Sequence, residues 1–191
     1  MTEKINFAVN NYEYRNQGIG GSDAGVVLGV NPYKTPLSLY LEKTGQIAPP
    51  DLSDNEAVKM GNILEPIVAD LYSEKTGNKV QRKNQVKFHP EHQFMFGHID
   101  RIIIPFTEKR IGLEIKTTAS HMSKFFGEES TDDLPLHILS QAHHYISIFD
   151  LTCMDVAVLI GGQRLKIFHV ERDREFEEIM IEKEKNFWIN H

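Results

Sequence analysis

Cysteine is almost missing from this sequence: Cys153 is the only one among the 191 residues. A single thiol excludes an internal disulfide framework and any zinc or iron–sulfur site that needs four cysteines. A run of about 18 apolar residues, the length of a membrane-spanning helix, is also missing. The N-terminal segment MTEKINFAVNNYEYR has no apolar core, so it does not resemble a secretion signal. We therefore expect a protein of a reducing cytoplasm with no membrane contact.

An excess of positive charge is missing as well. The chain has 21 Lys and Arg against 27 Asp and Glu, a net charge of −6. This balance argues against a protein that binds nucleic acid by bulk charge alone. It leaves room for an enzyme whose basic residues cluster locally while its carboxylates gather around metal ions.

Several common signatures of nucleotide and metal sites are absent from the sequence. It has no GxxxxGK[ST] phosphate loop, no His/Cys set with zinc-like spacing and no Gly-x-Ser-x-Gly elbow. Gly18, Gly20 and Gly21 are not followed by the third glycine of GxGxxG. These absences exclude the commonest mononucleotide, dinucleotide, zinc and serine-hydrolase signatures.

A glycine-rich stretch is present at residues 14–33, which read YRNQGIGGSDAGVVLGVNPY. Free backbone N–H groups at a helix start, together with the Ser22 hydroxyl, suit a phosphate. The alternative is that Ser22 or Asp23 only caps a helix and that Arg15 is an ordinary surface charge. The stretch is therefore a candidate phosphate site.

The first half of the chain predicts helices. Thr35 as N-cap, Pro36 at the first helical position and Gly45 as a stop predict one helix. Residues 46–55 contain two prolines and no periodicity, which indicates a loop.

A second, longer helix is predicted over residues 56–76 and ends at Gly77. Pro66 inside it predicts a kink or a helix restart near Glu65.

The apolar period then changes from that of helices to that of strands. The predicted elements are strands at 80–88, 94–105 and 111–117, a helix at 136–149, a hairpin of 154–160 and 165–170, and a charged helix at 173–188. This order predicts an α/β or α+β fold with a mixed sheet. The chain length predicts one domain over residues 1–191.

The informative polar residues are Asp100 on one predicted strand and Glu114-Ile115-Lys116 on the next. Alternation along a strand places Glu114 and Lys116 on one face. Adjacent antiparallel strands bring such carboxylates together, and paired carboxylates bind hard cations such as Mg²⁺. Lys116 is then placed to orient or deprotonate a water that attacks phosphorus. The alternative is a cross-strand salt bridge, because an isolated ExK pattern has little specificity.

Two helical residues extend this set. Glu65 is a candidate third carboxylate, and the alternative is a solvated helix position before Pro66. Gln141 lies in the middle of a predicted helix, with His137 one turn earlier on the same stripe. The alternative for this pair is a polar helix edge.

The other histidines are weaker candidates. His98 shares a strand face with Asp100 and is a candidate lining residue, although a histidine packed in the sheet is the safer interpretation. His143 and His144 are expected to cover the helix surface rather than to bind metal.

Six ordered stretches closely resemble the YqaJ-like viral recombinase family of phage and prophage exonucleases, relatives of the lambda-type exonuclease. They are GIGGSDAGVVLGVNPYKTPLSLYLEKTG (18–45), MGNILEPIVADLYSEKTG (60–77), GHIDRIII (97–104), LEIKTT (113–118), LPLHILSQAHHYI (134–146) and VLIGGQRLKIFHVERD (158–173). The resemblance covers nearly the whole chain. It implies the PD-(D/E)XK, restriction-endonuclease-like fold, a mixed central β-sheet flanked by helices.

The resemblance also implies roles at matching positions. The implied metal ligands are Asp100, Glu114, the Ile115 carbonyl and, as an additional acid, Glu65. Lys116 resembles the catalytic lysine, and Gln141 matches the glutamine of the helix beside the site. Ser22 and Arg15 correspond to residues that hold DNA phosphate, including a 5′-terminal phosphate.

The implied activity is Mg²⁺-dependent removal of nucleotides from double-stranded DNA ends in the 5′ to 3′ direction, with Mn²⁺ as a substitute. The exposed 3′ strand would pass to a phage single-strand annealing protein in the bacterial host cytoplasm. Ring trimers occur in the wider family, so a homo-oligomer is a further expectation. The alternatives are a structure- or site-directed endonuclease of the same fold and a non-catalytic module that binds DNA ends or a recombinase.

Three departures from the family pattern stand out. Arg101 follows the metal aspartate where relatives often carry glycine. The segment around His137 and Ile138 lacks the tyrosine common before the glutamine, and the sequence stops soon after Phe187-Trp188, whereas many relatives continue. We expect Arg101 to alter the approach to the site.

Overall fold

The computed structural model describes residues 15–83, 85–104 and 109–190, so the expectation for the N-terminal segment lies almost wholly outside the described residues. The helices are α1 (Gly21–Val27), α2 (Pro36–Lys43), α3 (Glu56–Thr76), α4 (Leu136–Phe149) and α5 (Arg174–Ile189), with a 3-10 helix at Ser120–Phe125. The strands are β1 (Lys79–Arg82), β2 (Lys87–Phe88), β3 (Phe96–Gly97), β4 (Arg101–Ile104), β5 (Ile111–Thr118), β6 (Cys153–Ile160) and β7 (Arg164–Glu171). No described helix combines the length and the apolar character needed to cross a membrane.

The helix boundaries follow the capping residues. The Thr35 hydroxyl accepts a hydrogen bond from the Ser38 N–H at 3.2 Å and begins α2. Gly77 adopts φ 74°, a left-handed conformation that ends α3. α3 is one helix of 21 residues through Pro66, so the predicted restart near Glu65 is wrong. Pro66 lies on the exposed side of α3, where the carbonyl group that lacks the proline's N–H donor is accessible to solvent.

The central sheet has five strands in the order β1-β4-β5-β6-β7. β5 and β6 run parallel, with α4 as the crossover between them, and the other neighbours are antiparallel. The predicted mixed sheet flanked by helices is thereby confirmed.

The predicted strand at 94–105 is divided, which the apolar pattern did not show. β3 pairs with β2 in a separate two-stranded sheet, and only β4 joins the central sheet. The Ile19 N–H donates to the Phe94 carbonyl at 2.6 Å, and the Phe96 N–H donates to the Ile19 carbonyl at 3.0 Å. This pairing with a segment distant in sequence draws residues 94–97 away from the central sheet.

The two faces of the central sheet are covered by different helices. α3 packs Val68, Ala69 and Tyr72 onto one face, together with Leu113 of β5 and other apolar strand residues. α4 packs onto the other face with a second apolar cluster. Because side chains alternate along β5, Glu114 and Lys116 lie on the α4 face.

A fully buried ion pair connects α5 to α4. His144 Nδ1 lies 3.0 Å from Glu184 Oε1, and His144 Nε2 lies 3.0 Å from the Phe96 carbonyl oxygen. The Phe96 carbonyl can only accept, so Nε2 donates to it, and Nδ1 faces the Glu184 carboxyl group. Burial lowers the pKa of His144, but Glu184, the Phe96 carbonyl and Asp23 together raise it by more, so the net direction is upward. The pair holds the C-terminal helix against the helix that carries Gln141.

Candidate active site

Asp100 and Glu114 come together where β4 begins. Arg101 pairs with Leu113 in the antiparallel β4–β5 ladder, so Asp100, one residue earlier, comes beside Glu114. The Ile115 N–H donates to Asp100 Oδ2 at 2.9 Å. Both carboxylates and Ile115 line one cleft of about 730 Å³. The strand register therefore gathers the residues that the spacing singled out.

Lys116 and Gln141 complete a hydrogen-bonded group with Glu114. Lys116 Nζ lies 2.8 Å from Glu114 Oε1 and donates to Gln141 Oε1 at 2.9 Å. Gln141 Nε2 donates to Glu114 Oε1 at 2.8 Å. One oxygen of Glu114 thus receives two donors, and Gln141 sets the position of the Lys116 ammonium.

The neighbouring carboxylates of this group repel each other. Burial raises the pKa of Asp100 to about 8, and the neighbouring Glu114 carboxylate adds to the increase. Burial lowers the pKa of Lys116, but Glu114 and Asp100 raise it by more, so Lys116 stays an ammonium at neutral pH. One cation is therefore shared by two carboxylates that resist simultaneous ionisation.

The donor set fits a divalent cation. Glu114 Oε2 is buried without a hydrogen-bond partner among the described residues, although Oε1 has two. A second positive charge beside Asp100 and Glu114 would satisfy that oxygen and relieve their repulsion. Carboxylate and carbonyl oxygens are the ligands that Mg²⁺ prefers. Asp100, Glu114 and the Ile115 carbonyl would hold such an ion.

Glu65 is close enough to Asp100 to raise its pKa, but its own hydrogen-bonded partner is Arg101. Arg101 Nη1 donates to Glu65 Oε1 at 2.6 Å and to the main-chain carbonyl of Asp100 at 2.8 Å. In the described part of the chain, no three His, Cys, Asp or Glu side chains are grouped to hold a metal ion. Glu65 still lines the cleft, but its nearest charged partner is buried Arg101. Arg101, which stands where relatives often carry glycine, thus forms an ion pair with Glu65.

The candidate phosphate residues lie in the same cleft. Ser22 is exposed on the first turn of α1, and Arg15 and Ser22 line the cleft that contains Asp100 and Glu114. The Asp23 carboxylate accepts from the Gly20 N–H at 3.1 Å and pairs with Lys43 at 2.7 Å. Asp23, rather than Ser22, is therefore the residue that closes the helix start, and the Ser22 hydroxyl is not used as a cap.

Gly21 of the glycine-rich stretch and Gly97 of β3 have a packing role that the sequence did not reveal. A Cβ on Gly21 would come within 2.4 Å of the Tyr145 ring, and one on Gly97 within 2.8 Å of it. Gln141 Nε2 lies 3.2 Å from the Tyr145 hydroxyl oxygen. Tyr145 thus connects the glycine stretch to the carboxylate group, and its place one helical turn after Gln141 is the signal that would have found it.

The histidines differ from expectation. His98 is exposed and lines the cleft, so the interpretation as a packed sheet histidine is wrong. His143 and His144 are buried rather than spread over the helix surface, and His143 packs against Phe176 with tilted rings whose centroids are 4.7 Å apart. His137 packs against Gly25 and does not line the cleft, although burial and the nearby Lys116 ammonium lower its pKa.

Two sequence comparisons agree on the family. The profile of the YqaJ-like viral recombinase domain matches residues 12–152. The uncharacterized protein YqaJ of Bacillus subtilis (strain 168) is 39% identical over 176 residues, which are 91% of this chain and 53% of that protein. The chain thus spans about half the length of this curated relative.

Solved structures share the fold at low sequence identity. The alkaline exonuclease LHK-Exo of Laribacter hongkongensis matches with a TM-score of 0.67 and 13% identity, covering 94% of this chain and 90% of that one. A phage-related exonuclease of Haemophilus somnus 129PT matches with a TM-score of 0.65 and 14% identity, covering 89% and 93%. The profile match and the YqaJ relative lead to one conclusion: the chain belongs to the YqaJ-like viral recombinase family.

Proposed function

We propose that this chain is a Mg²⁺-dependent nuclease that removes nucleotides from the ends of double-stranded DNA, in the 5′ to 3′ direction. The observation that carries the proposal is the group of Asp100, Glu114 and Lys116 in a cleft that also contains Ser22 and Arg15. Carboxylates with a buried unpaired oxygen, a fixed ammonium and a nearby hydroxyl together suit hydrolysis of a phosphodiester.

In this proposal Asp100, Glu114 and the Ile115 carbonyl hold the metal. When bound, Mg²⁺ would supply Lewis-acid stabilisation of the phosphoryl oxygens and lower the pKa of a water. Asp100 is held toward the site by the Ile115 N–H. Glu114 is held by Gln141, which leaves its second oxygen available for a ligand.

Lys116 acts as a charged hydrogen-bond donor. Its raised pKa keeps the proton on Nζ, so of the two roles open to it, orienting the water is favoured over deprotonating it. An ammonium fixed by Gln141 also neutralises charge that develops on the attacked phosphate. Gln141 is then a positioning residue that acts through Lys116 and Glu114.

Glu65 is proposed to act indirectly, through Arg101. It binds Arg101, and Arg101 binds the main-chain carbonyl of Asp100, so this pair sets the backbone from which Asp100 projects. Ser22 and Arg15 are proposed to hold the terminal phosphate of the DNA.

Relatives support an exonuclease rather than an internal cut. LHK-Exo is described as an alkaline exonuclease, and one of its structures contains dAMP, a mononucleotide. The family description, a viral recombinase domain, supports a role in recombination, in which a single-strand annealing protein receives the 3′ strand.

The test is digestion of end-labelled linear duplexes that carry a 5′-phosphate or a 5′-hydroxyl, with Mg²⁺, Mn²⁺ or chelator. We expect mononucleotide release from 5′-phosphorylated ends only with a divalent cation, and no cut in covalently closed circular DNA. Cleavage of the closed circle would indicate an endonuclease, and no metal-dependent degradation of any substrate would overturn the proposal.

A double substitution tests the end-binding step separately. Ser22→Ala with Arg15→Gln should reduce the preference for 5′-phosphorylated ends while calorimetry shows unchanged binding of Mg²⁺. Normal use of phosphorylated ends by this variant would remove Ser22 and Arg15 from the proposal.

A further inference from the structure

A positively charged segment lies at the open edge of the central sheet. Residues 75–90 contain five Lys and Arg and no Asp or Glu, in a chain whose net charge is −6. No other acid-free stretch of comparable length carries more than two Lys or Arg. We call the four cations of this segment that lie in or beside β1 and β2 the basic strip: Lys79, Arg82, Lys83 and Lys87.

The basic strip differs from the other cations near the cleft in its partners. Lys34 pairs with Glu42, Lys43 with Asp23, and Arg101 with Glu65. No cation of the basic strip forms an ion pair with a described carboxylate, and only Lys83 is half-buried, while the other three are exposed. The positive charge of the strip is therefore not neutralised by the described part of the protein.

The strip borders the candidate active site. β1 is an edge strand that pairs only with β4, and Arg82 lies opposite Arg101, the residue next to Asp100. Neighbouring strands lie about 4.8 Å apart, so β1 runs roughly 10 Å from β5 and Glu114. Val86, between Lys83 and Lys87, lines the cleft itself. A polymer that enters the cleft beside Val86 passes along the strip.

We propose that the basic strip binds the phosphate backbone of the duplex DNA whose end lies in the cleft. This inference rests on the proposed function and adds the surface that holds the undegraded part of the substrate. Lys79 and Arg82 lie about 10 Å apart along β1 and project from opposite faces of the sheet, so their charges flank both sides of its open edge. Their separation along β1 equals the axial length of about three phosphates along one strand of B-DNA.

The composition of the strip favours a duplex over a single strand. Proteins that track single strands use aromatic side chains on which bases stack. Residues 79–87 read KVQRKNQVK and contain no aromatic residue. Long cationic side chains at a sheet edge can contact phosphates without reading bases, which suits an enzyme that must move along any sequence.

Two matched triple variants test the proposal. Lys79→Gln/Arg82→Gln/Lys83→Gln removes three charges of the strip. Arg174→Gln/Lys183→Gln/Lys185→Gln removes the same residue types from exposed positions of α5, none of which lines the cleft. Affinity for a short fluorescent duplex is measured by anisotropy, in chelator to prevent digestion, at salt concentrations from about 50 to 200 mM.

The strip variant should bind the duplex about tenfold or more weakly, and its slope of log K against log salt should fall by about 0.9 per lost contact. The control should match the wild type. With Mg²⁺, the strip variant should raise KM for duplex DNA and leave kcat nearly unchanged. If the triple variant does not fold, Lys79→Gln and Lys83→Gln alone should each lower the slope by about 0.9.

Three outcomes would overturn the inference: equal slopes for the strip variant and the control, weakening seen only with single-stranded DNA, or self-association of the strip variant without any change in DNA binding. The last would show that the lysines only protect the sheet edge from pairing with other edges. These outcomes leave the proposed function intact when the wild type still degrades duplex ends. Failure of the wild type to bind or degrade DNA would instead remove the proposed function.

Discussion

Two carboxylates on neighbouring strands of the central sheet have opposite environments. Glu114 lies on β5, and Asp155 lies on β6 opposite Leu113, one residue away in register. Asp155 accepts from the Tyr72 hydroxyl at 2.5 Å and lies 2.6 Å from His169 Nδ1, so both of its oxygens have partners. Glu114 keeps one buried oxygen without a described partner. The two residues differ in the face of the sheet to which they point.

The α3 face satisfies its carboxylate, and the α4 face leaves its carboxylates in need of a cation. Burial and Asp155 raise the pKa of Tyr72, so the phenol stays a donor. On the other face burial and the Glu114 carboxylate raise the pKa of Asp100, and both carboxylates line the cleft. A satisfied network stabilises a fold, whereas an unsatisfied one is placed to bind something.

Substitutions of Glu114 and Lys116 should have the largest effect on activity. Glu114→Gln or Lys116→Gln should reduce release of nucleotides from a labelled duplex by at least about a hundredfold, because each removes a charge from the reacting group. The melting temperature of Glu114→Gln should not fall, since like charge is relieved in that variant. Lys116→Gln removes the cation that the two carboxylates share, so its melting temperature should fall without Mg²⁺. Wild-type digestion rates in either variant would contradict the mechanism.

Asp155→Asn should lower stability and leave activity unchanged. The free energy of unfolding should fall by about 1–3 kcal/mol, because the Tyr72 hydroxyl and His169 lose a charged acceptor. Urea denaturation measures this loss, and digestion of a duplex by the folded variant should proceed at the wild-type rate. A folded Asp155→Asn protein without activity would show that the two networks are coupled.

In chelator, without a bound metal, the stability of the protein should depend on pH through Asp100 on the α4 face and not through Asp155 on the α3 face. The folded-state pKa of Asp100 is about 8, above its ordinary value of 3.8, so the folded protein binds a proton that the unfolded chain releases. This contribution is complete below about pH 4 and is lost as the pH rises through about 8.

Urea unfolding between these pH values should show a steeper loss of stability for wild type than for Asp100→Asn. Asp155→Asn should keep the wild-type slope, and added Mg²⁺ should restore stability at the alkaline end. Equal slopes in wild type and Asp100→Asn would show that Asp100 is ionised without a cation.

Glu65→Gln should have the smallest effect. Because Glu65 binds Arg101 rather than the carboxylate pair, calorimetry should find Mg²⁺ affinity within about tenfold of wild type, a difference of about 1.4 kcal/mol or less. Asp100→Asn serves as the control that abolishes binding. Equal loss of metal in both variants would restore Glu65 as a ligand.

Local rules predicted most of the secondary structure. The bounds of α3 and α4 follow from apolar periodicity and from Gly77, and the mixed sheet follows from the order of the elements. The division of residues 94–105 was not predicted, because it depends on hydrogen bonds to Ile19, far away in sequence.

Within the candidate site, the alternation of a strand was enough to place Glu114 and Lys116 together. The ion pair between Glu65 and Arg101 was not predicted, because it joins a helix to a strand. The burial of His144 against Glu184 was also missed, since both are polar residues on helices and only the packing of α5 on α4 covers them.

The sequence by itself determined the elements, the family and the chemical types of the site, because capping, periodicity and residue spacing act over a few positions. The tertiary structure decided which carboxylate is satisfied and which is not. That difference depends on the helix that covers each face of the sheet, and such coverage joins residues tens of positions apart. It placed Tyr72 against Asp155, Arg101 against Glu65, and left Glu114 with an oxygen available for a cation.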